Sequence, residues 1–218
     1  MTLQAVIFDM DGLLTDSETV ARVILKDAGR RMGAEISDRL LDDITGVNRE
    51  ECVTLLRAAL PGLDAEALLA VHSREMDAAA RRGDVPLKPG VRELLDALDA
   101  RRIPRAVASS TERALVETHL ARHGLLDRFD CLVCGDMIRR SKPAPDIYLA
   151  AAEALGITPA DCLVLEDSPN GLKSGRAAGM RTCMVPDRLP YTDALKPYVD
   201  DVCASLLGVI PLIAPWLS

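Results

Sequence analysis

Four short groups of polar residues stand where apolar runs stop. Asp9 and Asp11, one residue apart, follow the run at 3–8 and precede Gly12. Ser109, Ser110 and Thr111 follow the run at 103–108. Lys142 sits in Ser141-Lys142-Pro143-Ala144-Pro145, and Glu166 and Asp167 follow the run at 162–165. If the chain stays extended through Asp11, its period of two puts both acids on one side of the strand end. Two acids so close repel, so one must hold a proton or a cation must sit between them. Asp9, Asp11 and Asp167, with Glu166 beside them, are hard oxygen ligands suited to Mg²⁺. Ser109, with Ser110 next to it, and Lys142 supply the hydrogen bond and the point charge that a phosphoryl oxygen requires. A carboxylate nucleophile beside a metal and a lysine makes an acyl-phosphate intermediate the natural chemistry.

Each group also has a plainer reading. Asp-x-Asp-Gly can be a turn, although the later ligands of a calcium loop do not follow. Ser110 or Thr111 can cap the next helix. Lys142 alone would be a solvated lysine, but Pro143 should hold it extended and Pro145 can begin a helix. Ser168-Pro169 is an ordinary helix start. It is the succession of all four at strand ends that favours a site.

The elements that must position these groups come in two textures. Residues 16–83 show helical periodicity only, with helices at 19–32, 37–44, 50–59 and 64–82. Ser17 is the expected cap of the first, Gly33 its stop, and Asn48 with Glu51 a capping pair. From about residue 86 strands and helices alternate: strands at 103–108, 131–134, 162–165 and 181–185, and helices at 90–101, 112–123, 145–155 and 169–178. That alternation implies βαβ units and a parallel sheet, which the distant first strand must join. The expected fold is α/β, a Rossmann-like parallel sheet core formed by 1–15 and 86–218, with an inserted all-helical domain at 16–85. In open parallel sheets the site lies beyond the carboxyl ends of the strands, where the four polar groups fall.

Composition narrows the partners. The 26 basic and 33 acidic residues leave a formal charge of −7, and no basic block is present. With aromatics at 3%, neither a phosphate-tracking groove nor base-stacking platforms are expected, so nucleic acid is excluded as a partner. The apolar tail at 203–217 carries two prolines and is too short to span a bilayer, so no membrane association is expected; it reads as a closing strand and helix. The six cysteines are scattered in mostly apolar runs, and the N-terminus lacks the order of a signal peptide. Both features point to reduced thiols and a cytoplasmic protein. Cys131 and Cys134 would face opposite sides of a strand, which suits no shared metal. His119 and His123 are spaced as in a zincin, but Leu120 stands where a glutamate is required, so they read as surface histidines. Nothing in the sequence sets an oligomeric state.

The motifs Asp9-x-Asp11-Gly12-x-Leu14-x-Asp16-Ser17-Glu18, Ser109 after the second strand, Lys142-Pro-x-Pro-Asp146 and Glu166-Asp167-Ser168-x-x-Gly171 resemble those of the haloacid dehalogenase superfamily. The similarity covers nearly the whole chain, and the group most resembled is the β-phosphoglucomutase-like phosphatases. The resemblance implies that Asp9 becomes phosphorylated. It also implies that Asp11 handles protons and ligates Mg²⁺ through its carbonyl, that Ser109 and Lys142 bind phosphate, and that Asp167 is a metal ligand with Glu166 behind it. The region at 16–85 falls where that group carries a helical cap, and Arg49 matches a cap arginine that reaches substrate phosphate. The mutases carry a histidine where this chain has Ala21, and the cap lysine is not recognisable at 72–80. Water is then the simpler acceptor. The expectation is a phosphatase acting on a small phosphorylated metabolite, a sugar phosphate. The alternatives are a phosphosugar mutase and a non-catalytic phosphometabolite-binding protein.

Overall fold

The computed structural model describes residues 3–216. The chain up to Asp16 and from Pro86 onward forms one compact unit, and Ser17–Val85 forms a second.

The first unit is organised by strand β1, Ala5–Phe8, all four of whose residues are buried. Val6 and Phe8 enter one apolar layer and Ala5 and Ile7 the other, so the run is apolar because both faces are covered. β1 pairs in parallel with β2, Arg105–Ser109, on one side and with β4, Cys162–Glu166, on the other. With β3 (Cys131–Cys134), β5 (Arg181–Met184) and β6 (Asp201–Val202) the order is β3-β2-β1-β4-β5-β6, parallel throughout. The strand order therefore reverses at β1 and β4, where a crevice opens at the carboxyl end of such a sheet. Cys134 packs in one apolar layer and Cys131 against the other, as their spacing predicted.

The second unit holds helices α1 (Ser17–Arg31), α2 (Asp38–Ile44), α3 (Arg49–Ala59) and α4 (Ala65–Arg82) around their own core, which includes Leu25, Leu41, Leu56 and Leu68. Ser37, Asn48 and Asp64 each cap a helix by accepting a backbone N–H, and Gly33 leaves α1 at φ +81°. Ser17 does not cap. It is the first residue of α1, and its buried hydroxyl has no hydrogen-bond partner among the described residues. In the first unit the chain leaving and the chain returning are tied together, Asp16 N to Pro86 O at 2.8 Å and Lys88 N to Leu14 O at 2.9 Å.

The remaining helices are α5 (Val91–Asp99), α6 (Arg113–Arg122), α7 (Asp146–Leu155), α8 (Pro169–Ala177) and α9 (Leu206–Ile213). Three further expectations are corrected. Neither Ser110 nor Thr111 caps α6. The cap position is Glu112, without a side-chain bond, and Asp136 Oδ1 accepts the Arg113 N–H instead. His119 is not on the surface but buried at 3% exposure, its ring 5.3 Å from that of His123. The closing strand lies at β6, just before the apolar tail, and the tail itself supplies α9; Leu217 falls outside the described residues.

Candidate active site

Asp9 is the first residue past β1, and its N–H continues the ladder by donating to Leu165 O at 3.0 Å. Met10 turns into the apolar layer, and the chain then curls so that Gly12, Leu14 and Thr15 close a tight loop of backbone bonds. Gly12 is required there twice over. Its φ is +83°, and a Cβ would overlap Asp167 Oδ2. The loop thus brings the first and last motifs into direct contact.

Asp9 and Asp11 have different partners. Asp9, 7% exposed, accepts from Lys142 Nζ at 2.5 Å. Asp11 Oδ2 accepts from Thr111 Oγ1 at 3.0 Å and, more weakly, from Ser109 Oγ at 3.5 Å. Lys142 Nζ also donates to Glu166 Oε1 at 2.7 Å and Ala108 O at 3.1 Å, which engages all three ammonium protons. The Lys142–Pro143 peptide bond is cis, and Pro145 occupies the cap position of α7 rather than its first turn.

Glu166, the last residue of β4, is fully buried. Its Oε1 receives Lys142 and the Tyr148 hydroxyl at 2.8 Å. Its Oε2 receives Asp167 N, Ser168 N and Ser168 Oγ at 3.1, 3.0 and 2.9 Å. A carboxylate offers about four lone-pair sites, so these donors use its capacity. A Cβ on Gly171 would overlap Glu166 Oε1, which ties that glycine to the same group.

The electrostatics separate the acids. Burial pushes the Asp9 carboxyl up to about 8; Lys142 pulls against this, while Glu166 and Asp11 add to it. Burial also raises Asp167 well above the carboxylate range, reinforced by Glu166, Asp9 and Asp187. Glu166 goes the other way. Burial alone would raise it, but Lys142 and the surrounding donors hold it below its ordinary value. Lys142 stays firmly charged, because Asp9 and Glu166 outweigh its burial.

A model of the haloacid dehalogenase-like hydrolase family matches residues 3–179. The chain belongs to that family. Its relatives include the phosphorylated carbohydrates phosphatase of Thermotoga maritima, 34% identical over 82% of each chain. Hexitol phosphatase B of Escherichia coli K12 is 36% identical over 84% of this chain and 83% of its own. A crystal structure of a haloacid dehalogenase family hydrolase from Deinococcus radiodurans, with bound phosphate and sodium, has a TM-score of 0.85. It is 27% identical and covers 99% of this chain and 96% of that one.

Haloacid dehalogenase-like hydrolases generally use a divalent metal, and this chain has an acidic group that fits one. Asp9, Glu166 and Asp167 each offer a carboxylate oxygen within 4.8 Å of the others. Burial first, and then the neighbouring carboxylates, raise Asp9 and Asp167, in a region where acids outnumber Lys142 and Lys88. Asp9 and Asp167 remain available as ligands, whereas Glu166 is committed to its donors.

Of the residues singled out in the sequence, Asp9, Asp11, Ser109, Lys142, Glu166 and Asp167 converge at β1, β2 and β4. Ser110 is exposed, with its backbone carbonyl packed against Gly135. Arg49 opens α3 in the helical unit, where it pairs with Glu66 at 2.8 Å. Ala21 lies in α1, and its carbonyl accepts from His72 Nε2 of α4 at 3.2 Å. Sequence reasoning missed four residues. Thr111 was read only as a cap. Tyr148, in α7, carried no sign of a polar role. Lys88 and Asp187 form a 2.6 Å ion pair, with Asp16 3.8 Å from the same ammonium. Asp187 Oδ2 is buried with no hydrogen-bond partner among the described residues. A polar residue just past the β5 run was the only available signal for Asp187.

Proposed function

We propose that this protein is a Mg²⁺-dependent phosphatase that hydrolyses a small phosphorylated metabolite, a sugar phosphate, through an aspartyl-phosphate on Asp9. The observation that carries the reading is the division of labour between the two acids. Asp9 is gripped by Lys142 at 2.5 Å, while Asp11 is held apart by Thr111 at 3.0 Å. Asp9 forms the new O–P bond as the ester P–O bond breaks, and Asp11 gives its proton to the departing alkoxide oxygen. Asp11 then takes a proton from water as that water attacks phosphorus. The acyl-phosphate bond breaks, and phosphate and the Asp9 carboxylate are regenerated. Ser109 and Lys142 receive the phosphoryl oxygens, and Glu166 keeps Lys142 in place.

Asp9 and Asp167 would hold the cation, with the Asp11 carbonyl as the resemblance implies. When bound, the cation neutralises charge on the transferring group. The Deinococcus radiodurans relative was crystallised with bound phosphate and sodium, which supports a protein of this fold that takes an anion and a cation. The names of the Thermotoga maritima and Escherichia coli relatives support a sugar-like substrate. Ala21 in place of the mutase histidine favours hydrolysis over return transfer. The helical unit is assigned as the cap, and Arg49 as a substrate-binding residue, on the resemblance. A cytoplasmic location is part of the reading, supported by six free cysteines.

The test is phosphate release from a panel of phosphorylated metabolites, with and without Mg²⁺. Turnover should require the cation, stop in EDTA, and vanish in Asp9→Asn with the circular dichroism spectrum unchanged. Full activity in EDTA or in Asp9→Asn would sink the mechanism. Isomerised sugar phosphate without free phosphate would establish the mutase instead.

A further inference from the structure

Tyr148 belongs to the apolar layer beneath the sheet, where a phenylalanine would pack equally well, yet it is bonded to the charged groups above it. Its hydroxyl donates to Glu166 Oε1 at 2.8 Å, and its ring lies 4.9 Å beneath Lys142 Nζ. Glu166 Oε2 is fixed by Asp167 N and by the Ser168 N–H and hydroxyl. Among the described residues Oε1 has two partners, Lys142 and Tyr148. Without the tyrosine hydroxyl that oxygen would be left to Lys142 alone, and its charge would draw Lys142 away from Asp9.

All three protons of Lys142 are engaged, by Asp9, Glu166 and Ala108 O. To meet a phosphoryl oxygen the ammonium must release one of them. The bond to Asp9 is the one that can be handed over, since Asp9 is where the phosphoryl group arrives. The other two must then hold Nζ still. We propose that Tyr148 is a positioning residue that acts through Lys142, a role that rests on the phosphatase reading above. Its hydroxyl balances Glu166, and its ring face supports the ammonium, so that only the Asp9-directed hydrogen bond is free to pass to a phosphoryl oxygen.

The experiment compares wild type, Tyr148→Phe and Tyr148→Leu with Mg²⁺ and p-nitrophenyl phosphate. It reads kcat, KM, inhibition by inorganic phosphate and the thermal midpoint. Tyr148→Phe keeps packing and ring face and loses one hydrogen bond to a charged group. The expected result is a kcat lower by about tenfold, with KM and phosphate inhibition within about threefold. Tyr148→Leu, which also loses the ring face, should lower kcat further, by about tenfold again. Wild-type kcat in Tyr148→Phe would overturn the role, as would equal kcat in the two variants. So would a loss that tracks the unfolded fraction. A wild-type enzyme that releases no phosphate from any ester would overturn the phosphatase reading, and this role with it.

Discussion

The two units of this chain handle charge in opposite ways. In the helical unit charged groups lie at the surface in pairs, such as Arg22 with Asp42 at 2.7 Å, Arg31 with Glu75 at 2.6 Å and Arg49 with Glu66 at 2.8 Å. Water can replace either partner, so such pairs contribute little. At the carboxyl end of the sheet, the Lys142 side chain and Glu166 are buried and nearly every lone pair and proton is assigned. Burying ions is costly unless each is matched, and breaking a match leaves an uncompensated charge. The lesson is that paired charges mean different things in the two units: a solvated surface in one, a buried and matched network in the other.

The largest expected effect breaks the buried arrangement. Lys142→Met should abolish phosphate release and also destabilise the fold by roughly 3–5 kcal/mol in a urea titration, because Glu166 is left buried and unpaired. A variant as stable as wild type would show that water reaches Glu166 and that the contrast between the units is false. Next is Gly12→Ala, which adds a Cβ where Asp167 packs and where φ is +83°. Stability should fall by about 1 kcal/mol or more, with a weaker apparent affinity for Mg²⁺ measured by calorimetry. Unchanged affinity would mean that Asp167 can move aside without consequence.

On the other side of the comparison, the double variant Arg49→Ala/Glu66→Ala should change unfolding free energy by only about 0–1 kcal/mol. A substantially larger loss would place that pair with the buried class. The smallest effect concerns His72, whose burial lowers its pKa from 6.5 while its bond to Ala21 pulls the other way. The unfolded chain then binds a proton first, so stability should fall as pH drops below about 6.5 towards the lower folded value. Urea midpoints at pH 7 and pH 5 should differ more for wild type than for His72→Gln. Equal pH responses would mean that His72 is as solvated as the surface charges around it.

Much of this could be read along the chain, for local reasons. A run such as 3–8 is apolar at every position because both faces of a central strand are covered, and the alternation of strands and helices after residue 86 implies the parallel sheet. The expected cap at Asn48 acts within three residues, so its signal is contiguous. Where the local rule failed, a distant group had taken the position. Asp136 bonds the N–H that a hydroxyl of the Ser-Ser-Thr segment was expected to cap, and packing submerged His119, whose spacing carried no such sign.

The sequence by itself determined which polar residues stand at the strand ends, and in what order, because strand length and apolar periodicity are short-range properties. Only the tertiary structure decided which charge each of them meets. Lys142 reaches Asp9 and Glu166 across separations of 133 and 24 residues. Glu166 is committed to hydrogen bonds, Thr111 joins Asp11 and Tyr148 joins the lysine pair, because side-chain partners are set by sheet order and register. Neither leaves a trace in the neighbouring residues.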